Sequence, residues 1–66
     1  MNAKAQNLVN LAKNIVAERG AQVTSIVEDD GHINLYSGKS MAAQVFPNAP
    51  ANDKRFPQIE VFVKKA

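Results

Sequence analysis

Cysteine is missing from this sequence, which excludes disulfide bridges and thiolate-bound metal as ways of holding a small chain together. Its absence also fits a reducing compartment. Histidine occurs once, at position 32, whereas a zinc site needs three or four good ligands. Long apolar runs are missing too. The longest unbroken stretches are a few residues, far short of the roughly 20 needed to cross a bilayer. Met1–Asn14 is interrupted by Asn7, Asn10 and Lys13, unlike the apolar core of a signal peptide. The expectation is a cytoplasmic protein with no membrane partner.

Charge is sparse and nearly balanced, with eight Lys and Arg against six Asp and Glu for a net charge of +2. That excess is too small to name a partner, and a mixed solvated surface accounts for it. Its placement is uneven. Glu28, Asp29 and Asp30 sit together, while Lys39, Lys54, Arg55, Lys64 and Lys65 lie in the C-terminal half against Asp53 and Glu60. Hydrophobic residues make up 45% of the chain and charged residues 21%, which is globular rather than disordered composition. Sixty-six residues allow a single small domain over 1–66. Such a chain buries only about 60% of the surface its unfolded form exposes. Without covalent staples it depends on close packing, or on association with another protein or a second copy of itself.

The spacing predicts a helix over residues 3–19. Ala5, Leu8, Val9, Ala12, Ile15, Val16 and Arg19 follow the i, i+3, i+4, i+7 pattern of one helical face, and Leu11 widens that stripe. Asn2 can cap the start, Gly20 can stop the helix in a left-handed C′ position, and Arg19 complements the dipole at that end. Residues 21–36 read as a β-hairpin around Asp29-Asp30-Gly31. A two-residue Asp30-Gly31 turn mixes polar and apolar residues on both faces. A three-residue turn sets Val27 opposite Ile33 and gathers Val23, Val27, Ile33 and Leu35 on one face, so the hydrophobic pattern selects the three-residue turn. Thr24, Ile26, Glu28, His32, Asn34 and Tyr36 then share the other face.

Ser37-Gly38-Lys39-Ser40 bends the chain. Residues 41–46 read as a short strand, with a single helical turn as the alternative. Pro47, Pro50 and Pro57 make 47–57 a loop, and 58–64 alternates Ile59, Val61 and Val63 with Glu60, Phe62 and Lys64 as a strand does. The expected fold class is α+β: an N-terminal helix packed on one face of a small three- to four-stranded antiparallel sheet, in αβββ or αββββ order. Leu8, Ala12, Ile15 and Val16 cover Val23, Val27, Ile33, Leu35, Ile59, Val61 and Val63. One helix leaves the other sheet face open.

No motif points to catalysis. Gly38-Lys39-Ser40 resembles the end of a phosphate loop, but Ile33 occupies the place of its first glycine. Asp29, Asp30 and His32 cluster at the turn with too few ligands for calcium or zinc. Ser25, Ser37, Ser40 and Thr24 have a single histidine among them and no orienting group that the sequence identifies. The expectation is no enzyme, no cofactor and no metal.

The open face is the stronger lead. Ile26, Tyr36, Phe62 and Lys64 form the candidate partner-binding set, because aromatic and apolar side chains anchor protein contacts. The expected role is a small protein-interaction or modulator module, an accessory of a larger machine of the kind bacteriophage genomes encode. It would use the open sheet face and the C-terminal strand to hold another protein or a second copy of itself. The alternative is nucleic-acid binding through Lys39, Lys54, Arg55, Lys64 and Lys65, supported by Tyr36, Phe62 and Phe46. The structural alternative folds the proline-rich loop back, with Phe46 and Phe56 plugging the core.

Overall fold

The protein is described by a computed structural model, which covers residues 2–48 and 58–64. One helix, α1 (Ala3–Glu18), precedes four strands: β1 (Ser25–Asp29), β2 (His32–Ser37), β3 (Ser40–Val45) and β4 (Ile59–Val61). The strands form one antiparallel sheet in the order β1-β2-β3-β4. The αββββ reading is correct. The segment expected over 41–46 is a strand and not a helical turn, with bounds Ser40–Val45, and Ser37–Ser40 is the tight turn that joins β2 to β3.

The helix starts and stops where its residues dictate. Asn2 Oδ1 accepts the Ala5 N–H at 2.8 Å, satisfying one of the first-turn donors that lack a partner inside the helix. Arg19 is the C-cap. Gly20 follows with φ 87°, its N–H donates to Ala17 O, and the Ala21 N–H donates to Val16 O. That pair of bonds is a Schellman ending, which favours a glycine in the left-handed position. Arg19 does more than complement the dipole. Its Nη1 donates to Val63 O at 2.9 Å, tying the end of the helix to the end of the last strand.

The core lies between α1 and one sheet face. Ala5, Val9, Ala12 and Val16 meet Ile33, Leu35, Ala42, Ala43 and Val45, with Leu8, Val23, Ile59, Val61 and Val63 at the margin. Strand pairing aligns these side chains in rows across the sheet. Ile33, Val45 and Ile59 form one row, and Leu35, Ala43 and Val61 the next. A bulge between Leu35 and Tyr36 places Ala42 as an extra residue in β3. The helix packs chiefly on β3 and β4.

The hairpin register differs from the expectation. Asp29 pairs with His32, Glu28 with Ile33, Val27 with Asn34 and Ile26 with Leu35. The loop is therefore the two-residue Asp30-Gly31 turn, with Gly31 at φ 78°, and Val27 faces away from the helix. The physical reason is that burial does not act on β1, because all five of its residues are exposed. Mixing polar and apolar side chains there costs little, so turn chemistry decides. Thr24 fixes the far end of the hairpin: its N–H and hydroxyl both donate to Tyr36 O, and its Oγ1 accepts the Gly38 N–H at 2.9 Å.

Two substitutions check this arrangement by urea denaturation. Leu35→Ala, at a site with no exposure, should destabilise by about 3 kcal/mol. Val27→Ala, at a site 48% exposed, should cost less than about 1 kcal/mol. Comparable losses at the two positions would contradict the observed register.

Candidate functional site

The face away from α1 is more polar at its centre than the sequence suggests. Val27, Asn34, Gln44 and Glu60 lie side by side across the four strands. Asn34 is the buried polar residue of this row, and its Oδ1 accepts from Gln44 Nε2 at 2.9 Å. An amide–amide hydrogen bond between neighbouring strands favours this register. The sequence held both residues, but only the β2–β3 alignment reveals them as partners.

The candidate set Ile26, Tyr36, Phe62 and Lys64 is not brought together. Ile26 pairs with Leu35, so it stands on the helix side of β1 and not on the open face. Tyr36 stands opposite Ser25 and Met41 on the open face and is half-buried. Phe62 follows β4, is 45% exposed, and donates its N–H to Ala42 O. Lys64 is exposed two residues further on. Tyr36 and Phe62 thus share a face at the same end of the sheet, with β3 between them. Of the basic residues, Lys39 is exposed in the β2–β3 turn, at the end of the sheet toward which the chain past β4 runs. Lys54, Arg55 and Lys65 lie outside the described residues, as does Phe56. Phe46 is half-buried, with its ring centroid 6.0 Å from that of His32.

The hairpin tip is organised around its own turn. The Asp30 N–H donates to Asp29 Oδ1 at 2.8 Å, His32 Nδ1 lies 3.0 Å from Asp30 O, and His32 Nε2 lies 3.7 Å from Asp29 Oδ2. A shallow cleft of about 230 Å³ separates this tip from the start of α1 at Asn2 and Ala5. Among the described residues, no three His, Cys, Asp or Glu side chains are placed to hold a metal ion. No described helix is long and apolar enough to cross a membrane.

The β4 margin has a different character. Gln58 O accepts the Phe46 N–H and the Phe62 N–H donates to Ala42 O, with Glu60 paired to Gln44 between them. Residues 58, 60 and 62 therefore direct their backbone groups toward β3. By alternation, Ile59 and Val61 direct theirs outward, along an edge that no other described strand joins. Beside this edge runs a groove of about 390 Å³ lined by Ile15, Arg19, Ile59, Glu60 and Val61. Leu8 and Leu11 continue the apolar flank of α1 from Ile15, on the side turned away from β1, and Leu11 is 51% exposed.

Compared with known protein families, with characterised proteins and with solved structures, the chain matches none.

The other edge is guarded differently. Strand β1 ends in Glu28 and Asp29, with Asp30 next in the turn, and Lys13 of α1 lies beside Val23 and Ile26 along it. Charge of this kind is how sheets discourage edge-to-edge pairing. On β4, Glu60 is the single charged residue of the strand.

The polar row makes a measurable claim. Asn34→Ala should destabilise by about 1–2 kcal/mol, because it removes the buried acceptor that Gln44 uses. A double-mutant cycle of Asn34→Ala with Gln44→Ala should give a coupling of about 0.5–1 kcal/mol. Strict additivity would show that the two amides do not act as a pair.

Proposed function

We propose that this chain is a non-enzymatic protein-interaction module that works through its C-terminal strand edge. One observation carries the reading: the outward backbone groups of Ile59 and Val61 lie beside the exposed apolar flank of α1, with a groove between them. An added strand would complete the backbone hydrogen bonds, and its alternate side chains would enter the groove. Hydrogen bonding sets affinity and direction, and Ile15 and Val61 set the preference for an apolar side chain. The polar row on the open face leaves that face a lesser part than its edge.

A synthetic peptide of residues 58–64, titrated into the isotopically labelled protein, tests the reading. Resonance shifts and slowed amide exchange are expected at Ile59 and Val61, with Asn34 and Gln44 unmoved. Shifts confined to the open-face row, or none anywhere, would remove it.

A second reading has one observation in its favour, the presence of Tyr36, Phe62 and Lys39 toward one end of the sheet. Aromatic rings beside cations can hold single-stranded nucleic acid by stacking and phosphate attraction. This reading expects a labelled single-stranded oligonucleotide to bind at low salt and to release steeply as salt rises. Absence of binding at low salt dismisses it.

A further inference from the structure

We infer that the partner at this edge is a second copy of the same chain, joined β4 to β4 about a two-fold axis at Phe62. The inference rests on the strand-edge reading above and adds the identity of the occupant.

The outward residues of the last strand are 59, 61 and 63, so a symmetric antiparallel pair has few registers open to it. Centred on Glu60, the pair sets two carboxylates directly opposite each other at the closest side-chain spacing, which is repulsive. Centred on Val61, it sets Glu60 against Phe62. Centred on Phe62, it sets the two phenyl rings together on the axis, and Glu60 of each copy faces Lys64 of the partner subunit. Val61 then exchanges backbone hydrogen bonds with Val63 of the partner subunit. Only this last register makes the strand complementary to itself in charge, in aromatic pairing and in apolar contact.

The layer above the sheet agrees. A single peptide strand would fill the groove and leave Leu11 in water, whereas a two-layer partner reaches it. Strands lie about 4.8 Å apart, and α1 packs over β3 and β4. Two copies joined antiparallel at β4 therefore carry their helices on the same side of the merged sheet, with their β4-side flanks turned toward each other. The flank they turn to each other is Leu8, Leu11 and Ile15. The chain bends at Val63, so pairing draws residues 62–64 into line and lengthens the strand. The Arg19 bond to Val63 O is compatible with this, since a carbonyl oxygen accepts two hydrogen bonds.

Charge reversal tests the proposal in sedimentation experiments on the full chain from micromolar to millimolar concentration. The natural chain should dimerise. Glu60→Lys and Lys64→Glu should each weaken the dimer about tenfold or more, since each places two like-charge pairs across the axis. The double variant, which carries both substitutions, should return close to the natural affinity. Folding of every variant is checked by circular dichroism, and recovery in the double variant cannot come from misfolding. A natural chain that stays monomeric at millimolar concentration, or a double variant no better than the singles, overturns the proposal. If that monomer still binds the 58–64 peptide at Ile59 and Val61, the dimer fails and the strand-edge reading stands. A dimer whose Ile59 and Val61 amides still exchange freely overturns both.

Discussion

The close seat of one narrow helix on two strands governs this molecule. Among the described residues, four of the nine buried apolar ones are alanines: Ala5 and Ala12 on α1, Ala42 and Ala43 on β3. Small side chains on both surfaces let helix and sheet approach closely, and Val9, Val16, Leu35 and Val45 fill the remaining space. A helix about 10 Å across spans about two strands set 4.8 Å apart. In a four-stranded sheet, covering β3 and β4 leaves β1 without a lid on either face. The exposed edge strand, the polar row and the apolar flank beside β4 all follow from that mismatch in width.

Where the helix reaches, the sequence was informative. The stripe of α1, the alternation of Ile33 with Leu35 and the alternation of Ile59, Val61 and Val63 all report burial, and the structure buries or half-buries each. The caps were equally legible, because Asn2 and Gly20 act through bonds to their own neighbours. At β1 the same reasoning misplaced the strand. It took Val27 as a core residue and inferred a three-residue turn from that. Hydrophobic pattern fixes register only where one face is actually buried, and nothing local to residues 23–29 reveals that the helix lies elsewhere. The preference of Asp30-Gly31 for a two-residue turn was the signal that deserved the greater weight.

The candidate site was harder to read for the same reason. Tyr36 and Phe62 do share the open face, but Ile26 joins them only in the three-residue-turn register, and one residue of slip moves its side chain to the helix side. The Asn34–Gln44 pair spans ten residues and depends on a strand alignment that includes a bulge. Leu11 is the residue whose signal lies in the sequence itself. It widens the helical stripe beyond what Ala5, Val9, Ala12 and Val16 require, and it is left 51% exposed.

That excess bears on stability as well as on recognition. Of the buried core named above, the alanines contribute little apolar area, so the domain keeps a small margin over the entropy of its chain. Large apolar side chains remain exposed at Leu11 and Phe62 beside the β4 margin, and at Ile26 and Val27 on β1. The β1 pair is flanked by Glu28, Asp29 and Asp30, whose charge opposes association. The β4 pair has Glu60 and Lys64, opposite charges at positions that can meet across a symmetric strand pair. A surface that binds only the folded chain adds its binding free energy to folding by mass action. Burying Leu11 and Phe62 against a partner would therefore supply apolar contact that α1 alone is too narrow to provide. In a chain with no disulfide available to it, the proposed contact at β4 would make recognition and stability of the fold two consequences of one event.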